Sequence, residues 1–561
     1  MLAKRVWSLL FLAIAAFYLY GLGAVPLVGP DEPRYAQVAR EMLARRDLIT
    51  PTLGGLPWFE KPPLLYTMMM ASYRVFGVSE FSARLGPAIC GLLSALFVYR
   101  IGKSVGESAT DHAQPSENDL PAWSALTFLS SLSVIVFARA ASFDIVITMT
   151  LTGALACFFV WHARSARSGS AGIPASGSPA SLPAHSSGRL LVAFYIFIGL
   201  ALLAKGLIGI VIPFGVIVFY FLLRREWPQR KFLGSLLWGV PLALAVAAIW
   251  YGPMISRHGW TFVEQFIIQH HFARFATNKY HHPAPFYFYL PVLAGLALPW
   301  TVQLGAAFIS ARQWNWRGDA PLDRLRVFAL AWIVVPVVFF SLSGSKLTAY
   351  ILPVIPAVAL LIGERVTCFL GAGRGDRVLR LTGALLIALA IVGGWYSIRH
   401  LHLTWLCIGA MLLPLVVASS AALLRPQMRK ALFVLIPIAT LVASVIAINC
   451  VAPVAARTES VRDLLAGANA RGYGNAHLVQ LHTIERTAEF YAAGRLDYGS
   501  DGEPIKLEDV AQVADAARRN QGVVLCFIPT EFQSQLTSYQ RVQAQVVAGN
   551  GRVSLVVVRV L

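Results

Sequence analysis

The sequence predicts an all-α polytopic membrane domain followed by a small α/β domain, and three observations carry that expectation. Of the 561 residues, 57% are hydrophobic and 13% charged, against the roughly 25% charge that a water-facing surface requires. Apolar runs of about 20 residues, the length of one crossing, recur from the N-terminus to about residue 450 and then stop. Beyond residue 455 the chain turns to short segments of helical and β-rich pattern.

About thirteen crossings are expected, starting near residues 7, 82, 122, 144, 189, 206, 233, 288, 327, 347, 381, 404 and 431. Several are short, and the pairs meeting around Lys205 and Lys346 can each also be read as one. The first run resembles a signal peptide, yet Ala24-Val-Pro-Leu-Val-Gly-Pro30 offers weak cleavage chemistry, so a retained signal anchor is expected. Lys4 and Arg5, Arg224 to Lys231, Arg324 and Arg326, Arg374 to Arg380, and Arg425 to Lys430 fall on one face of such a topology, which makes that face cytoplasmic. The net charge of +19 is therefore a topology signal, and no nucleic-acid partner is implied.

These assignments divide the chain into a membrane domain, residues 1–450, and an outward α/β domain, residues 451–561. The loops at 28–81 and 252–287 face outward with that second domain. Residues 164–188, rich in Ser, Ala, Gly and Pro, read as a flexible cytoplasmic linker. Helices are expected at 460–470 and 509–519 and strands at 523–528 and 553–560; no catalytic motif accompanies them, so this domain reads as an accessory or lid. Five of the six cysteines lie in or beside apolar runs, and no CxxC pair occurs. Neither a disulfide framework nor a cysteine metal site is indicated.

The loop after the first run carries the charges that call for a function. Asp31, Glu32, Arg34, Glu60 and Lys61 lie beside a bilayer, where charge is costly. As local structure, Asp31 caps a helix reaching Arg46, Arg34 pairs with it one turn on, and a second surface-lying helix, 66–76, turns Met68, Met69 and Met70 to lipid. That reading leaves Glu60-Lys61-Pro62-Pro63 unexplained, and a phosphate-headed lipid explains it better. Asp144 lies in the hairpin between the third and fourth runs. Lys205 and Lys346 sit between apolar runs on the same side as Asp31; with Arg34, Lys61 and Arg274 they form a cationic rim suited to an anionic substrate. Five of the twelve histidines fall in the loop 252–287. Glu60, His271 and His282 are the candidate ligands of a structural zinc joining two loops; the alternative is a set of interfacial histidines among aromatic residues.

Taken together, Pro30-Asp-Glu-Pro-Arg-Tyr-Ala36, Phe59-Glu-Lys-Pro62, Ala204-Lys-Gly206, His282-Pro-Ala-Pro-Phe286 and Ser345-Lys-Leu-Thr-Ala-Tyr-Ile-Leu352 resemble the bacterial lipid A aminoarabinose transferases, within the wider group of polyprenyl-phosphate-dependent glycosyltransferases. The resemblance covers essentially the whole chain, apart from Pro33 where enterobacterial members have Thr and a longer linker at 164–188. It implies a GT-C architecture in the bacterial inner membrane, with a cytoplasmic N-terminus and a periplasmic active site and C-terminal domain. It implies transfer of 4-amino-4-deoxy-L-arabinose from undecaprenyl phosphate to lipid A, and with it resistance to polymyxin and cationic peptides. No cofactor is required for that chemistry, and the absence of Walker and Rossmann fingerprints fits it. Asp31 becomes the catalytic carboxylate. Lys61 and Arg274, with Tyr350 as hydrogen-bond donor and Arg34 assisting, receive the leaving phosphate, and Asp144 the sugar amine. A transferase with another acceptor, such as a protein hydroxyl, uses the same parts. A transporter would show two related halves with broken helices, and no internal repeat is found.

Overall fold

The computed structural model describes residues 2–106, 119–170, 185–273, 284–401 and 403–561. Arg274 and His282 lie outside these, as does the middle of the expected linker. The linker's two ends are helical: α7 runs from Phe143 to Ser170 and α8 from His185 to Lys205.

A helix begins near each of the thirteen expected starts. Among the described residues, nine helices are long and apolar enough to cross a membrane, or ten if the pair Phe286–Leu296 and Thr301–Gln313, bent by 118°, is one span. The chain enters through α1 (Leu2–Leu19) and forms α2 (Asp31–Arg45) and α3 (Leu64–Phe76) in the first loop. A two-stranded turn, β1 (Thr52–Leu53) with β2 (Leu56–Pro57), lies between α2 and α3. Then come α4 (Glu80–Gly106), α5 (Leu120–Ser130) and α6 (Leu132–Phe137), followed by α7 and α8. The next helices are α9 (Ile208–Arg224), α10 (Arg230–Phe262), α11 (Tyr289–Leu296) and α12 (Thr301–Ser310). The last five spans are α13 (Pro321–Ser341), α14 (Ile355–Gly371), α15 (Asp376–His400), α16 (Trp405–Leu424) and α17 (Arg429–Glu459).

The central helices are the most buried, with α7 and α14 enclosed over most of their length. Small residues allow this packing: a Cβ at Gly363 would sit 2.2 Å from Ser124 Oγ, and one at Gly102 would sit 2.9 Å from Pro121 Cα. Backbones therefore approach closely on both sides of α5, as small-residue interfaces do in membranes. Trp123, Trp332 and Phe158 are among the largest fully buried side chains of this core.

The first loop departs from its expected local form. Pro30, not Asp31, holds the cap position of α2, and Asp31 is the first helical residue with no side-chain cap. Arg46 ends α2 in the left-handed region, with its amide bonded to Leu43. On α3 the methionines do not face lipid: Met69 and Met70 are buried, because this face packs on the bundle. Cys407 and Cys450 are joined as a disulfide between α16 and α17, a pairing that neither run's apolar composition signals.

Because α17 continues to Glu459, the boundary expected at 450 falls within it. Beyond lie α18 (Arg462–Ala468) and a five-stranded sheet in the order β4 (Lys506–Leu507), β3 (His477–Leu481), β5 (Val523–Pro529), β7 (Val553–Val560), β6 (Val542–Gly549). The β3 pairings with β4 and β5 are parallel, and the rest are antiparallel. Asp509 and Gln512 form a capping box that starts α20 (Val510–Arg519). The short helix α19 (Ala488–Tyr491) enters the first loop. Tyr491 Oη accepts from the Leu27 amide at 2.8 Å and donates to Glu80 at 2.9 Å, while Arg40 donates to the Phe490 carbonyl at 2.8 Å and lies over its ring at 4.1 Å.

Buried charge fixes α2 against the bundle. Arg84, near the start of α4, donates to both oxygens of Glu32 at 3.0 and 2.8 Å and to the carbonyls of Leu22, Val25 and Pro26. The Ala141 amide, between α6 and α7, donates to Glu32 Oε1 at 2.6 Å. Burial pushes the Glu32 carboxyl up, but the Arg84 charge and these hydrogen bonds hold it below the usual carboxylate range. Removing one partner strands the other, so Arg84→Met is expected to cost about 3–5 kcal/mol. Thermal unfolding of purified protein should show the double variant Glu32→Leu, Arg84→Met to be more stable than Arg84→Met alone.

Candidate active site

The expected residues converge because the starts of α2 and α7 and the end of α8 meet. Asp31 begins α2, Asp144 lies in the first turn of α7, and Lys205 ends α8. Between them, with Lys61 and the 3₁₀ segment Thr348–Val354 that carries Tyr350, lies a cavity of about 650 Å³. Asp31, Glu60, Lys61, Asp144, Lys205 and Tyr350 all line it. Val136, Leu207 and Val211, apolar and exposed, form its side between α6 and α9, so the cavity opens laterally towards lipid.

Two ion pairs face this space. Lys61 Nζ donates to Glu60 Oε1 at 2.8 Å. Lys205 pairs with Asp144 Oδ1 and lies 5.1 Å from the centre of the Tyr350 ring. Ser142 Oγ accepts from the Asp144 amide at 3.1 Å and so starts α7 with the carboxylate held towards the cavity. Among the described residues Asp31 has no hydrogen-bond or salt-bridge partner, and it is exposed. A carboxylate in that position is available to a ligand. Behind it, the rings of Tyr35 and Tyr66 pack edge-on against Phe143 at 4.9 and 5.3 Å, fixing α2, α3 and α7 together.

Two expected rim residues, Arg34 and Lys346, are placed differently. Arg34 does not line the cavity and does not pair with Asp31. It is buried, 5.1 Å from the centre of the Trp58 ring, facing Glu60 at 4.0 Å, Glu489 at 3.6 Å and Glu503 at 3.8 Å. Three carboxylates, one further along the same loop and two from the C-terminal domain, outweigh the neighbour one turn back, and Arg34 acts on the site through Glu60. Burial pushes the Glu489 carboxyl up despite Arg34 and Arg486. Lys346 lies beside the cavity with Nζ donating to the Ser343 carbonyl at 2.8 Å, while Ser343 and Leu347 to Tyr350 supply the wall. Arg274 falls outside the described residues.

Of the candidate zinc ligands Glu60, His271 and His282, only the Glu60 side chain falls among the described residues. Glu60 is engaged by Lys61 and Arg34, and no group of three metal-ligating side chains occurs among the described residues. His270, the neighbour of the candidate ligand His271, lines the cavity and acts electrostatically on Glu60. Glu32, not among the candidate site residues, also lines the cavity. The signal that reveals its role is Arg84, a charge in the first turns of an otherwise apolar span.

A family model described as dolichyl-phosphate-mannose-protein mannosyltransferase matches residues 6–262. The undecaprenyl phosphate-alpha-4-amino-4-deoxy-L-arabinose arabinosyl transferase of Erwinia tasmaniensis is 31% identical over 405 residues, and that of Pseudomonas aeruginosa strain LESB58 is 32% identical over 396. The matches take in 70% and 69% of this chain and 66% and 65% of those proteins, so the chain spans just under two thirds of these relatives' length. The crystal structure of ArnT from Cupriavidus metallidurans bound to undecaprenyl phosphate shares the fold, with a TM-score of 0.76 over 98% of each chain at 23% identity. Its apo form gives 0.75.

The chain is similar in sequence to these arabinosyl transferases and shares the fold of the ArnT structures.

In this cavity the Glu60–Lys61 pair controls how Lys61 is presented. Burial raises the Glu60 carboxyl, but the Lys61 charge and hydrogen bond, with His270 and Arg34, bring it down to about 2 from an ordinary 4.5. A depressed folded-state value means that the ionised pair stabilises fully above about 4.5 and loses that contribution as the pH falls towards about 2. The melting-temperature difference between wild type and Glu60→Gln is expected to be constant at neutral pH and to shrink below about 4.5. A difference that grows on acidification contradicts this assignment.

Proposed function

We propose that the protein transfers 4-amino-4-deoxy-L-arabinose from undecaprenyl phosphate to a phosphate of lipid A, at the periplasmic face of the bacterial inner membrane. The observation that carries the reading is the meeting of Asp31, Glu60–Lys61, Asp144–Lys205 and Tyr350, from four separate stretches of chain, around one laterally open cavity. The names of the relatives support the donor, and the resemblance in sequence supports the acceptor. The short-loop arginines and lysines support a cytoplasmic N-terminus, which puts this cavity and the C-terminal domain on the periplasmic side.

In the reaction, the bond between the sugar's anomeric carbon and the polyprenyl phosphate oxygen breaks, and a bond from that carbon to a lipid A phosphate oxygen forms. Positive charge grows on the sugar ring and negative charge on the departing phosphate. Lys61, oriented by Glu60, and Tyr350 stabilise the leaving phosphate. The acceptor phosphate is largely ionised at neutral pH, so Asp31 serves first to orient it and to offset charge on the sugar, with proton removal secondary. Asp144 holds the sugar's ammonium group opposite Lys205. Arg34, outside the cavity, keeps Glu60 in place. Val136, Leu207 and Val211 let the polyprenyl tail leave sideways into the bilayer.

Incubating purified protein with aminoarabinosyl undecaprenyl phosphate and lipid A, and weighing the lipid by mass spectrometry, tests the reading. Modified lipid A is expected, and its absence in a folded preparation refutes the assignment. Asp31→Asn and Lys61→Ala are each expected to lower turnover by 100-fold or more, on the scale of a lost electrostatic contact to a transition state. Arg34→Ala should cost less in turnover and more in thermal stability. Near-normal activity in both cavity variants removes their roles.

A further inference from the structure

A second crevice, apolar-walled with a basic rim, lies at the far end of α7 and α8. It has a volume of about 270 Å³ between α4, α7 and α8, and Arg100, Lys103 and Arg164 converge on it. Its apolar wall includes Leu96, Phe97 and Leu190, of which Leu96 is 46% exposed. Along α7, Arg164 comes twenty residues after Asp144, a rise of roughly 30 Å, the thickness of a bilayer's hydrocarbon core. The crevice therefore sits at the headgroup level of the membrane face opposite the catalytic cavity. No acidic side chain lines it among the described residues. Lys103 and Arg164 each already hold an interaction within the protein, which orients them.

We propose that this crevice seats an anionic diacyl phospholipid, its phosphate against Arg100, Lys103 and Arg164 and one acyl chain along Leu96, Phe97 and Leu190. Charge complementarity selects the headgroup, and basic pockets between spans on a membrane's cytoplasmic side favour such lipids. The exposed apolar wall selects a lipid over a free phosphate, since a soluble anion leaves Leu96 uncovered. Lipid held there ties the ends of α4, α7 and α8 together, and the opposite ends of these helices carry Arg84, Asp144 and Lys205.

Native mass spectrometry of the full-length protein, titrated with phosphatidylglycerol and separately with phosphatidylcholine, tests this. Phosphatidylglycerol is expected to bind more tightly, and the triple variant Arg100→Gln, Lys103→Gln, Arg164→Gln to weaken it by tenfold or more. Arg100→Gln alone, an exposed position with little bearing on folding, should weaken it on the order of fivefold. Arg100→Lys with Arg164→Lys should retain it, and Lys61→Ala, at the other face, should leave it unchanged. Equal binding of the two lipids, unchanged binding in Arg100→Gln and the triple variant, loss in Lys61→Ala, or full competition by inorganic phosphate would each overturn the proposal.

Discussion

The site depends on one buried charge pair. Glu32 and Arg84 are separated by 52 residues of sequence and meet where α2 leaves the membrane level. Arg84 also gathers three carbonyls of the segment before α2, and Glu32 takes the Ala141 amide just before α7. One carboxylate thus joins the first loop, α4 and the start of α7. Asp31 immediately precedes Glu32, and Asp144 follows Ala141 by less than a turn, so two cavity carboxylates are set by the same contact. Such a pair, desolvated on both sides, adds little net stability compared with apolar packing. Its value here is geometric.

A second set of contacts carries that order outward. Arg34 lies between Glu60 of the first loop and Glu489 and Glu503 of the C-terminal domain. Tyr491 ties the same domain to Leu27 and Glu80. The domain thus buttresses the loop that presents Lys61. Its own carboxylates are part of the electrostatics: Glu489 is buried and penalised when ionised, and Arg34 and Arg486 partly offset this.

How much of this was legible depends on the range of each interaction. Periodicity and length placed a helix near every expected start, and the strands at 523–529 and 553–560 follow directly from runs of Val, Leu and Ile. The charges at Asp31, Lys61, Asp144 and Lys205 were legible as a group because each interrupts an apolar context. The pairing of Arg34 with Asp31, which local spacing offers, does not form, because its partners lie 26 to 469 residues away. The same limit hid Arg84 and the Cys407–Cys450 bond. The buried face of α3 was misread because three consecutive methionines carry no period to say which side is covered. The number of crossings stayed open for a related reason: α1 and α9 are apolar but short, and length alone does not decide them.

The central claim is that Lys61, held by Glu60, receives the phosphate of a polyprenyl donor whose tail leaves between α6 and α9. A cryo-electron microscopy structure of this chain with undecaprenyl phosphate tests it most directly. The account predicts phosphate oxygens within hydrogen-bonding reach of Lys61 Nζ and a tail passing Val136, Leu207 and Val211. A phosphate seated away from Lys61, or a tail emerging from any other side of the bundle, would contradict it.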